Sequence, residues 1–157
     1  MNEAGTSTRA DARTTRRRGR PSPAARRFGY VVAVGANLVV LFLIHRWPGW
    51  DVVPFLSDGF TDVLPFVDAS IVASIAANIV FLVRDTAALK AFGDLATTLV
   101  SLLALVRMWQ VWPFDFAGVW GGWEPLTYLM LGVATFGTVV AAIVQAVTLV
   151  RLAVTTR

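Results

Sequence analysis

At 157 residues, 56% of them hydrophobic and with a mean hydropathy of +0.64, the chain carries more apolar side chain than one soluble core of this length can hide. Its net charge of +4 comes from 14 Lys and Arg against 10 Asp and Glu, and arginine is concentrated at the start. Cysteine is absent, which excludes disulfides, thiolate zinc sites, iron–sulfur clusters and thiol nucleophiles, and the single histidine, His45, has no second imidazole with which to build a transition-metal site.

The hydropathy pattern predicts an all-α integral membrane protein, with four transmembrane helices in an antiparallel bundle, a disordered basic N-terminal tail and short aromatic outer loops. Residues 1–27 form the tail and 28–157 the transmembrane domain, with spans at about 28–46, 62–84, 87–112 and 125–151. Each span is near the roughly 20 apolar residues that a helix rising about 1.5 Å per residue needs to cross about 30 Å of hydrocarbon.

The tail has almost no large apolar side chain, so it cannot bury enough surface to offset the entropy of ordering. Arg9, Arg13, Arg16, Arg17, Arg18, Arg20, Arg26 and Arg27 precede the first span, and the positive-inside bias keeps this end in the cytoplasm. Such a segment is expected to meet anionic lipid, at about 1 kcal/mol per basic residue near the surface. Nucleic acid is not expected, because no aromatic residue interleaves the arginines before Phe28. A cleaved signal peptide fits poorly, since the apolar run continues from Leu38 to Ile44, past the small residues Val34-Gly35-Ala36.

Asn37 is the polar residue of the first span, and His45 at its end is expected to play a structural role at the headgroup level. Trp47-Pro48-Gly49-Trp50 reads as a turn that ends this helix, and Ser57 or Asp58 can cap a short helical turn before the second span. Ser70, Ser74 and Asn78 follow at intervals of four on one face of the second span, with Asp68 about one turn inside its outer end. Val34–Val39 and Ile75–Val80 share a short echo that places Asn37 and Asn78 at similar depth.

Asp85 or Thr86 can cap the third span, Lys90 and Asp94 are spaced for a local ion pair, and Pro113 stops the helix. Arg107 lies as far inside the outer end of this span as Asp68 does in the second. An unpaired charge near a helix centre costs roughly 2.5–3.5 kcal/mol on insertion scales, so a salt bridge between Asp68 and Arg107 is expected to pin the two helices. The fourth span has Pro125 in its first turn, and Gly137, Ala141 and Gln145 form a row that lets a neighbouring helix approach.

Alternating the spans puts twelve basic and four acidic residues inside, a balance of +8, and two basic and six acidic residues outside or near the outer edge, a balance of −4, which together reproduce the formal +4. Trp47, Trp50, Trp109, Trp112, Trp120 and Trp123 all fall on the outer side, as do the Pro-Phe pairs at Pro54, Pro65 and Pro113. An aromatic belt at the interface explains part of this pattern. Its one-sidedness also suits a surface that docks a partner or a lipid.

No His pair, His-Glu motif, phosphate loop or Ser-His arrangement is present, and the spacing of the outer acids matches no calcium loop, so neither a catalytic residue nor a metal or cofactor site is expected. The sequence points to a small non-catalytic integral membrane protein that serves as an accessory, scaffold or assembly partner. The alternative is an oligomeric transporter or channel subunit that uses the Asp68/Arg107 region. Either reading expects the lipid bilayer and a homo-oligomer or membrane-protein partner, in a cell membrane with both termini cytoplasmic. The enrichment in Ala, Val and Arg suits a bacterial cytoplasmic membrane.

Overall fold

In the computed structural model, residues 22–118 and 121–155 are described. They form four helices, α1 Pro23–His45, α2 Leu64–Val83, α3 Ala87–Val111 and α4 Trp123–Thr155, with a 3-10 turn at Asp58–Asp62 and no strand among the described residues. All four helices are long and apolar enough to cross a membrane, as in a multi-pass membrane protein.

Helix α1 begins earlier than expected. Ser22 Oγ accepts a hydrogen bond from the Ala25 amide at 3.2 Å, and Pro23 opens the helix with its φ already set. The last residues of the expected tail, Pro23–Arg27, are therefore helical, whereas residues 1–21 lie outside the described part. At the other end the chain folds back through a cis Trp47–Pro48 bond. The Arg46, Gly49 and Trp50 amides then donate to the terminal carbonyls of Phe42, Leu43 and Ile44 at 2.8, 3.0 and 3.1 Å. Gly49 is needed in this turn, because its φ is +94° and a Cβ there would collide with the Asp51 carboxylate.

Thr86 caps α3, its Oγ1 accepting from the Leu89 amide at 3.4 Å, and Trp112 ends the helix in the left-handed conformation with φ 47° just before Pro113. Helix α4 runs past the expected end of the fourth span to Thr155. Its 33 residues extend about 50 Å, against about 30 Å for the 20 residues of α2.

The helices pack in chain order. Backbones approach between α1 and α2, α2 and α3, and α3 and α4, while α1 and α4 stay apart among the described residues. The bundle is thus an open row whose edges are α1 and α4. Contacts at each end link consecutive helices: Tyr30 near the start of α1 lies against Phe81 near the end of α2, and Trp109 of α3 bonds Thr135 of α4. The segments 46–63 and 112–118 meet at one end, here the tryptophan end, while Arg26, Asp85 and Lys90 mark the opposite, arginine end.

The tightest packing lies at the tryptophan end, where Val63 and Pro113 are fully buried and Phe60 nearly so. Two loop segments are tied together there: the Ser57 amide donates to the Pro113 carbonyl at 2.9 Å, the Asp115 amide donates to the Phe55 carbonyl at 3.0 Å, and Leu56 and Phe114 pair antiparallel in a single bridge. The helices bury far less. Phe28 is 71% exposed on α1 and Phe136 is 73% exposed on α4, within long apolar flanks. A water-soluble monomer rarely shows apolar patches of that extent.

Candidate functional site

Polar residues between the helices form a seam on α1 and α2. Asn37 Nδ2 donates to the Ala33 carbonyl at 2.8 Å and to Ser74 Oγ at 3.3 Å, so one amide serves its own helix and the neighbour. Asn78 Nδ2 donates to the Ser74 carbonyl at 2.8 Å and approaches Ser74 Oγ at 3.5 Å. Ser74 therefore links the two asparagines of the sequence echo. Ser70 turns back to the Val67 carbonyl of its own helix at 2.7 Å.

The expected Asp68–Arg107 bridge does not form. Asp68 Oδ2 lies 3.2 Å from His45 Nε2, while Arg107 Nη1 contacts Gln110 Oε1 at 3.4 Å on its own helix. Asp68 turns instead towards α1, whose last residue is His45. One atom of each charge, Asp68 Oδ1 and Arg107 Nε, is buried without a hydrogen-bond partner.

At the arginine end, Asp85 accepts from Tyr30 Oη at 3.3 Å and pairs with Arg26 at 3.3 Å, which fastens the start of α1 to the link between α2 and α3. Lys90 Nζ pairs with Asp94 at 2.8 Å, the expected i, i+4 contact, and lies 5.1 Å above the Phe81 ring. Among the described residues no group of three His, Asp or Glu side chains converges as metal ligands would.

Aromatic rings organise the tryptophan end. Trp112 stacks on Tyr128, with centroids 3.9 Å apart and planes 13° from parallel, and meets Phe114 edge-on at 5.3 Å. Phe114 stacks on Phe116, and Phe116 on Phe55, at 6.1 and 6.2 Å. Trp109 Nε1 donates to Thr135 Oγ1 at 3.0 Å, and Trp50 packs on Phe60 at 5.5 Å. Trp47 is 72% exposed, and Trp120 lies outside the described residues.

Trp123 lines a cleft of about 570 Å³ between α4 and the loop rings, walled by residues such as Phe55, Phe116, Leu126 and Met130. Beside it, Trp112, Asp115 and Glu124 line a smaller cavity of about 380 Å³. A third, hydroxyl-rich groove of about 410 Å³ runs between α2, α3 and α4 past Ser74, Thr97, Ser101, Gly137 and Thr138.

No family model, curated protein or solved structure matches this chain.

Several of these contacts were not evident in the sequence. The His45–Asp68 pair and the Tyr30–Asp85–Arg26 cluster join residues that are distant in the chain, and nothing in their spacing marks them. The repeated Pro-Phe pairs were a usable signal for the joined loops, since Pro54-Phe55 and Pro113-Phe114 are the two that meet.

Proposed function

We propose that this chain is a small non-catalytic multi-pass membrane protein that serves as an accessory, scaffold or assembly partner. Its four helices cross a cell membrane antiparallel to their neighbours, with the arginine end in the cytoplasm and the tryptophan end outside. The observation that carries this reading is the open row: α1 and α4 each present a long apolar flank that no other described helix covers. Lipid, a second copy of the chain or another membrane protein would cover those flanks, and the arginines of the tail would meet anionic lipid.

The cysteine-free chain allows a direct test. Single cysteines replace Ser22, Asp58, Gly118 and Thr155, and intact cells are treated with a membrane-impermeant maleimide. Asp58→Cys and Gly118→Cys are expected to react in intact cells, and Ser22→Cys and Thr155→Cys only after permeabilisation. Equal reaction of all four in intact cells refutes the topology.

A second reading, an oligomeric transporter or channel subunit, draws support from the hydroxyl-lined groove and from the unpartnered atoms of Asp68 and Arg107. It expects aqueous labelling of cysteines at Asp68, Ser74 and Asn78, whereas the scaffold reading expects protection there.

A further inference from the structure

The two cavities at the tryptophan end share a wall, because Phe114 and Phe116 line both. The larger one runs along α4 from Trp123 to Ala134, about three turns or roughly 16 Å, and its lining is almost wholly hydrocarbon and aromatic. The smaller one brings Asp115 and Glu124 together with the rings of Trp112, Phe114 and Phe116. Asp115 Oδ1 accepts from the Ala117 amide at 2.9 Å, which holds that carboxylate in place. Neither acid forms an ion pair among the described residues.

Two carboxylates set among aromatic rings form chemistry that suits an ammonium group: the acids attract it through their charge, and the rings form an apolar wall against which its methylenes can pack. An apolar slot continuous with such a cavity matches an amphiphile with a hydrocarbon chain and a cationic head. We propose that this double cavity binds a phospholipid of the surrounding bilayer whose headgroup ends in an ammonium. One acyl chain lies along α4 in the apolar cleft, and the ammonium sits between Asp115, Glu124 and the rings. A transmembrane helix docked in the cleft would leave the acidic cavity unfilled, and an anionic headgroup would meet two like charges. The proposal rests on the reading that the tryptophan end lies at a membrane interface.

The native tryptophans report occupancy, since Trp112 and Trp123 line the two cavities. The full chain is reconstituted in phosphatidylglycerol vesicles that contain equal small fractions of brominated phosphatidylethanolamine, its N-acetylated form or brominated phosphatidylglycerol, and quenching is compared. The ammonium lipid is expected to be enriched at the site about fivefold over the other two. Glu124→Gln should abolish the excess and Glu124→Asp should keep most of it, with helicity checked by circular dichroism. If a variant fails to fold, the wild-type comparison between the free and acetylated amine decides alone. Equal quenching by all three lipids, or an excess for phosphatidylglycerol, overturns the proposal and leaves the membrane reading standing. Absence of quenching by any brominated lipid overturns both.

Discussion

His45 Nε2 lies 3.2 Å from Asp68 Oδ2, which ties the last residue of α1 to the first turns of α2. The two side chains are 40% and 30% exposed, so the protein covers the contact only in part, and a pair of this kind contributes at most about 1 kcal/mol. A double-mutant cycle with His45→Gln and Asp68→Asn, read by thermal unfolding in detergent, should give a coupling of about 0.5–1 kcal/mol. The same cycle with Arg107→Gln and Asp68→Asn should be additive. Larger coupling to Arg107 than to His45 would contradict the pairing seen here.

Gly93 of α3 packs against Phe81 and Ala77 of α2 near the arginine end. A Cβ at this position would sit 2.6 Å from Phe81 Cζ and 2.8 Å from Cε1. Phe81 is 3% exposed and packs on Tyr30 at 5.6 Å, so its ring has little room to withdraw. Gly93→Ala is therefore expected to destabilise the chain by about 1–3 kcal/mol, the usual cost of overpacking. Phe81→Leu, combined with Gly93→Ala, should recover part of that loss. If Gly93→Ala unfolds at the wild-type temperature, the close approach does not exist in the membrane.

Ser74 joins Asn37 and Asn78, and its removal tests the seam. Ser74→Ala keeps the helix-forming backbone but takes away the hydroxyl oxygen that accepts from Asn37 Nδ2 at 3.3 Å. A cross-helix hydrogen bond in this setting contributes roughly 0.6–2 kcal/mol. Thermal unfolding should show a loss in that range for Ser74→Ala, with little further loss when Asn37→Ala is added. Full additivity of the two would mean that the side chains do not interact.

The sequence was most informative where a property is local. Runs of apolar residues mark all four helices, and the i, i+4 spacing of Lys90 and Asp94 and the position of Thr86 identify their contacts within one helix. Helix ends were harder to place, because the starts and stops depend on caps such as Ser22 and on how far α4 continues past its neighbours. Pairing across helices was harder still. Asp68 has candidate partners on both neighbouring helices, and only the rotation of α2 decides that it meets His45 rather than Arg107. The tryptophans were visibly one-sided, yet the cavities that Trp112 and Trp123 border arise from the joining of segments 46–63 and 112–118, which depends on backbone bonds between residues as distant as Ser57 and Pro113.

Trp112 holds an unfavourable backbone conformation for the sake of its ring. Its φ of 47° lies in the left-handed region, which costs a non-glycine residue roughly 1–2 kcal/mol. Glycine at this position would remove that strain and is the common choice after a helix. The indole, however, stacks on Tyr128 at 3.9 Å and meets Phe114 edge-on, and each aromatic pair is worth about 0.5–1.5 kcal/mol beyond the area it buries. The ring contacts outweigh the strain, so Trp112→Gly should lower stability by about 1 kcal/mol or more. Trp112→Phe keeps a smaller ring and should fall between the two. In a Tyr128→Ala background the main stacking partner is gone, and the backbone relief then counts for more. There Trp112→Gly should cost clearly less than in the wild type, and an equal cost in both backgrounds, measured by thermal unfolding, would show that the stack does not stabilise this turn.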